Sequence, residues 1–136
     1  MRRAVLDSGV LVSALISPAG TPAKLLLGAR EGSLELIASP LLLAELETVL
    51  RRDKFQRYIA LATVDDYVER LRHDATVVPD PDGPAPLRAA DPDDDYLIAL
   101  AHGQNAILVS GDKHLLDLGG RGAPVLAPGD LLAAIS

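Results

Sequence analysis

The sequence predicts an α/β fold, a three-layer α/β/α sandwich built on a mostly parallel central sheet. Three observations predict it. Short apolar runs suited to strands alternate with stretches of helical periodicity, which implies βαβ units and helices on both faces of a sheet. Ser-Pro and Thr-Pro pairs stand where helices would open. The length, 136 residues, suits one core and therefore a single domain over 1–136.

Residues 3–6 (RAVL) read as a buried strand, and a helical stretch begins at Gly9 and runs to Ile16. Thr21-Pro22 is a cap followed by proline at the first helical position, with Leu25, Leu26 and Ala29 on one face and Gly32 closing the helix. LELIA (34–38) is the second strand. Ser39-Pro40 repeats the cap signal and opens a helix carrying Leu42, Leu46, Val49 and Leu50. A short helix is expected over 54–61, and Thr63 with Asp66 forms a capping-box variant ahead of Val64, Tyr67, Val68 and Leu71. ATVVP (75–79) reads as a third strand. The five prolines within 79–92 make that segment a loop. Asp91-Pro92 starts the next helix, which runs to about Gly103; AILVS (106–110) is the fourth strand, PVLA (124–127) a short fifth, and DLLAAI a last helix.

Composition narrows the chemistry. Hydrophobic residues make up 49% of the chain but aromatics only 3%, so the core is aliphatic. The chain has no cysteine, which removes disulfides, thiolate nucleophiles and Cys-containing metal sites and fits a reducing cytoplasm. Asp7, Ser8 and Gly9 interrupt the apolar stretch behind Arg2 and Arg3 too early for a secretory signal, and no run reaches the ~18 apolar residues of a membrane helix. A net charge of -6 argues against nucleic-acid binding by bulk electrostatics, yet the charge is segregated. Residues 51–57 (RRDKFQR) hold four cations against one anion, and 80–95 hold six aspartates against Arg88. Arg51, Arg52 and Lys54 are therefore candidates for phosphate contact, beside the plainer reading of a solvated helix surface.

The acids carry the functional argument. In open parallel sheets ligands bind beyond the carboxyl ends of the strands, and two acids stand there: Asp7 after AVL and Asp112 one glycine after AILVS. The helix opening at Ser39-Pro40 brings Glu45 and Glu47 to the same edge. Its helical wheel does not separate them, but Glu47 has Arg51 four residues on as an ion-pair partner, whereas Glu45 has no cation and is the better site candidate. In "DPDDDYLIALA" Asp91, Asp93 and Asp94 are explicable as helix-capping acids. Asp94 also shares a stripe with Leu97, Ile98 and Ala101, which aims it inward, and Asp95 is offset by one residue and reaches the same crevice from its edge.

Like charges 4 Å apart repel by about 4 kcal/mol at an effective dielectric near 20, so four converging acids must bind protons or a cation. Hard oxygen donors without Cys or a His pair select Mg2+ or Mn2+ over zinc, and His73, His102 and His114 lack ligand spacing.

"VLDSGVLVSAL", "SPLLLAELETVL", "DPDDDYLIALA" and "ILVSGDKHLL" occur in the order seen in PIN domains. The chain resembles that family over nearly its whole length, and more closely the PIN-family toxin components of bacterial toxin-antitoxin systems, the VapC-like group. The resemblance implies a metal-dependent endoribonuclease hydrolysing RNA with Mg2+ or Mn2+, leaving 5'-phosphate and 3'-hydroxyl ends. It also implies a small antitoxin partner and a homodimer. By position, Asp7, Glu45 and Asp112 match the family's acids, and the remaining one falls on Asp94 or Asp95. Where the family often has Asp-Thr-Asn, this chain has Asp7-Ser8-Gly9, so Ser8 and Ser110 are left as the hydroxyls expected beside the acids.

Two other readings remain. A receiver domain is a similar α/β sheet with acids and Mg2+, but it wants an acid pair after the first strand, where Asp7 is alone, and a phosphoacceptor after the third, where Asp80 lies in a proline-rich loop. A degenerate domain that binds a partner through its helices would use the acids only as caps.

Overall fold

The computed structural model describes residues 2–121 and 123–136. Its five strands are β1 (Arg2–Leu6), β2 (Leu34–Ala38), β3 (Thr76–Val77), β4 (Ile107–Val109) and β5 (Val125–Leu126). They form one all-parallel sheet in the order β3-β2-β1-β4-β5. In β1 the successive residues Ala4, Val5 and Leu6 point to opposite faces, yet each is fully buried. Both faces of the sheet are thus covered, as the sandwich requires.

Eight helices are formed among the described residues: α1 (Ser8–Ile16), α2 (Thr21–Arg30), α3 (Pro40–Leu50), α4 (Asp53–Gln56), α5 (Leu61–Asp74), α6 (Asp95–Gly103), α7 (Lys113–Leu116) and α8 (Pro128–Ile135). The cap signal at Ser39-Pro40 operates as read: the Ser39 hydroxyl accepts from the Leu42 amide at 3.4 Å. Asp80, from the proline-rich loop, accepts from the Leu41 amide at 3.0 Å. Two side chains from opposite ends of the crossover therefore satisfy free amides in the first turn of α3. Tyr67 on α5 donates its hydroxyl to the Leu11 carbonyl at 2.5 Å, pinning α5 to α1, and its burial raises its pKa.

Several expectations are corrected. Gly20, not Thr21, is the cap of α2, with Thr21 already inside the helix. The capping box at Thr63 is not formed; α5 starts at Leu61, and the amides of Thr63 and Val64 donate to the Ala60 carbonyl. The predicted third strand shrinks to Thr76–Val77, both exposed at the sheet edge, where only β2 is available to pair with. The helix expected from Asp91 begins with a 3-10 turn over Pro92–Asp94 before α6 takes over. Neither α7 nor the 3-10 turn at Asp117–Arg121 was predicted.

The strand order also decides against the receiver reading, for which the order is 2-1-3-4-5. Here the chain winds outward from β1 through β2 to β3, then crosses back to lay β4 on the other side of β1. The order reverses between β1 and β4, and the loops leaving those two strands diverge to open a crevice.

Candidate active site

Asp7 directly follows β1 at this switch point. Its amide donates to the Val109 carbonyl of β4 at 3.0 Å, and its Oδ1 accepts from the Val10 amide at 2.8 Å as the N-cap of α1. Asp112 follows β4 and caps α7, accepting from the His114 amide at 2.9 Å. Between them lies Ser110, fully buried, whose Oγ accepts from the Asp112 amide at 2.9 Å. Each acid is thereby held at the carboxyl end of an adjacent strand by the first amides of the helix it begins.

Asp94, in the 3-10 turn before α6, lines the same crevice of about 440 Å3 together with Asp7, Ser8 and Asp112. Its far wall is formed by Ser13, Pro22, Leu97 and Pro128. Glu45 reaches this group from α3. The Ser8 hydroxyl donates to Glu45 Oε1 at 2.9 Å, and the Tyr96 hydroxyl donates to Glu45 Oε2. Both carboxylate oxygens therefore have a donor, one from α1 and one from α6.

The electrostatics link the four acids. Burial is the main cause that raises the Asp7 pKa, opposed by the Ser110 hydroxyl and the Val10 amide and reinforced by the charges of Asp112 and Glu45. Asp94 is pushed up to about 6, first by burial and then by Asp91, Glu45, Asp112 and Asp7 in that order. Tyr96 is raised too, by burial and by its bond to Glu45, so it is a neutral donor at ordinary pH. Negative charge in the crevice is costly to Asp94 even though its side chain is only partly covered.

Asp95, the other candidate for the third acid, lies outside the crevice. It accepts from the Ala89 amide at 2.7 Å and faces Arg88 at 3.7 Å, so it ties the proline-rich loop to the start of α6. The one-residue offset from Asp94 is enough to turn it to another side of the turn. Glu47 keeps its plain role, accepting from Arg51 at 3.0 Å. Arg51 is also bonded to Asp65, so of the three cations considered for phosphate contact only Arg52 and Lys54 have no carboxylate partner among the described residues.

The described residues form no preformed metal cage. Among the described residues no three His, Asp or Glu side chains are placed to hold an ion as they stand. Asp7 and Asp112 each give one carboxylate oxygen to a helix amide, and Glu45 gives its two to the hydroxyls of Ser8 and Tyr96. The donor set nevertheless fits a hard divalent cation, being carboxylate and hydroxyl oxygens without a thiolate, and each bonded carboxylate oxygen retains a lone pair. Asp7, Asp94, Asp112 and Glu45 are the residues that would hold it.

Tyr96 is the functional side chain that the sequence reading does not single out. Its signal is present, as one of three tyrosines in the chain and two residues beyond Asp94, but only the approach of α3 gives its hydroxyl an acid to meet.

The fold and the crevice at the β1/β4 switch point define a parallel α/β domain with an acidic site, and the sequence matches the PIN domain family over residues 3–114. The chain belongs to the PIN domain family, whose members are generally nucleases. It is 28% identical over 116 residues to the uncharacterized protein MJ1680 of Methanocaldococcus jannaschii, a match spanning 85% of this chain and 74% of that protein. Among solved structures it is similar to PAE2754 from Pyrobaculum aerophilum, with a TM-score of 0.65 at 16% identity, over 98% of this chain and 89% of the other. It is also similar to VapBC2 from Rickettsia felis bound to a DNA fragment from its promoter, with a TM-score of 0.63 at 12% identity over 92% and 98% of the two chains.

Proposed function

We propose that this PIN domain is an endoribonuclease of the VapC-like kind that hydrolyses RNA phosphodiester bonds with Mg2+ or Mn2+. The observation that carries this reading is the convergence of Asp7, Asp112 and Asp94 on one crevice at the switch point, with Ser110 between the two strand-end acids and Asp94 raised first by burial and then by the charges of nearby acids. Acids so coupled gain from a cation in the space between them.

A bound divalent ion supplies charge to offset the phosphate and to acidify a water. The chain's own residues do the rest. Asp7, Asp94 and Asp112 hold negative charge on three sides of the crevice, Ser8 and Tyr96 fix the orientation of Glu45, and Ser110 keeps the two strand-end acids in register. The wall of Pro22, Leu97 and Pro128 limits the water that surrounds a bound phosphodiester.

The likeness to VapBC2 supports a small antitoxin protein as partner. A homodimer in the cytoplasm belongs to the same reading. The test is a digest of RNA with Mg2+, Mn2+ or EDTA, run beside Asp7→Asn. Cleavage that needs the cation and vanishes in the variant is expected; cation-independent cleavage, or equal cleavage by the variant, sinks the proposal.

One observation favours a second reading, a domain that binds a partner and has lost catalysis: Asp7 and Asp112 both act as helix caps. Calorimetric titration with Mn2+ separates the two, because acids used only as caps would show no measurable heat of binding.

A further inference from the structure

Most arginines of this chain have a carboxylate beside them: Arg3 with Glu35, Arg30 and Arg70 with Asp74, Arg51 with Glu47 and Asp65, Arg72 with Glu69, and Arg88 with Asp95. The segment where α3 gives way to α4 departs from this. Arg52, Lys54 and Arg57 are exposed and form no ion pair among the described residues, in a chain whose net charge is -6. Beside them stands Tyr58, 84% exposed. No other large hydrophobic side chain is as open among the described residues, in a protein with only three tyrosines and one phenylalanine.

Lys54, Arg57 and Tyr58, with Asp53, line a shallow hollow of about 400 Å3 that shares no residue with the acidic crevice. Asp53 is the first residue of α4, where helix amides favour an acid, and the cations around it outnumber it three to one. Lys54 lies 5.0 Å from the Phe55 ring, which holds its ammonium at the surface. Burial of an aromatic ring normally stabilises the fold; a ring left open among unpaired cations is placed to meet something flat and anionic.

From this arrangement we infer that Tyr58, Arg52, Lys54 and Arg57 form a docking platform for single-stranded RNA outside the cleavage crevice, one base stacking on Tyr58 while the cations meet flanking phosphates. The inference rests on the RNA-cleaving reading for the identity of the ligand. Single-strand binders combine an aromatic face with a cationic track, and stacking tolerates any base. The platform also follows the end of the helix that carries Glu45. Glu45 and the end of α3 at Leu50 are separated by roughly 8 Å of helix axis, and Arg52 follows directly. A strand engaged at the crevice and running along α3 would arrive at Arg52.

The experiment measures binding of a labelled, unstructured RNA oligonucleotide to the full chain by fluorescence anisotropy in EDTA, so that no cleavage is needed. Tyr58→Ala is expected to weaken binding by about tenfold or more, and Tyr58→Phe to restore it, since stacking requires the ring and not the hydroxyl. Replacing Arg52, Lys54 and Arg57 by Ala is expected to reduce the slope of log affinity against log salt by about 2, at about 0.7 for each phosphate left without its cation. Thermal melts confirm that the variants are folded. Unchanged affinity in Tyr58→Ala, or a salt slope unmoved by the triple change, overturns the platform and marks the patch as a protein-facing or solvated surface. Failure of the nuclease reading is distinguishable, because it would appear as RNA bound through Tyr58 but left intact in every cation.

Discussion

The hydroxyl of Tyr96, on the first turn of α6, donates to Oε2 of Glu45 on α3, while Ser8 at the start of α1 donates to Oε1. Three helices thus meet on one carboxylate, and neither bond is local in sequence. Tyr96→Phe keeps the ring and removes only the donor. A hydrogen bond to a charged group contributes about 1.5–3 kcal/mol, so the variant is expected to lose stability of roughly that order in urea titrations, and to bind Mn2+ more weakly by calorimetry as Glu45 becomes free to turn. An unchanged urea midpoint would mean that the bond is not formed in solution.

Asp7 serves α1 as a cap and the crevice as an acid, and two substitutions separate these roles. Asparagine caps as well as aspartate does, so Asp7→Asn is expected to fold with near-normal stability, whereas Asp7→Ala should lose about 1 kcal/mol. Both should lose RNA cleavage. If Asp7→Asn unfolds at a much lower temperature than Asp7→Ala, the capping account is wrong.

Asp94 makes stability depend on pH in an unusual direction for an acid. Its folded pKa is raised to about 6 from an ordinary 3.8, so between these values the folded state binds more protons than the unfolded one. Metal-free protein is therefore expected to become less stable as pH rises from about 4 to about 6, with the loss complete above that. Melting temperatures in EDTA across this range check it. Asp94→Asn should reduce the slope, leaving the part contributed by Asp7, which is raised in the same direction, and saturating Mg2+ should reduce it too; a slope of unchanged size in the variant would assign the whole effect to another group.

Asp95 should behave differently from its neighbour. Asp95→Ala frees the Ala89 amide and Arg88, so the loop spanning 79–91 is expected to be cut faster by protease, with cation-dependent cleavage of RNA retained. Loss of cleavage equal to that of Asp94→Asn, with no change in proteolysis, would reverse the two assignments.

How far the sequence can be read follows the range of the interactions involved. β2 matches LELIA residue for residue, and the Ser39 cap works as its Ser-Pro signal says, because strand hydrophobicity and capping are decided within a few residues. The start of α5 departs from the Thr63 signal: the helix opens at Leu61 with the Thr63 and Val64 amides on the Ala60 carbonyl, while the buried face of Val64, Val68 and Leu71 is the one its periodicity predicts. β3 is shorter than its apolar run because a strand with one neighbour ends where that neighbour's pairing ends.

By itself, the chain's order of residues determined an aliphatic α/β sandwich, the absence of thiol chemistry, and acids waiting at the ends of β1 and β4. Only the folded arrangement decided that Asp94 rather than Asp95 faces the crevice, that Tyr96 holds Glu45, and that Asp7 and Asp112 rest on helix amides. Capping and strand formation depend on neighbours a few positions away. The direction of a side chain at a turn, and the donor it meets, depend on helices that arrive from distant parts of the chain.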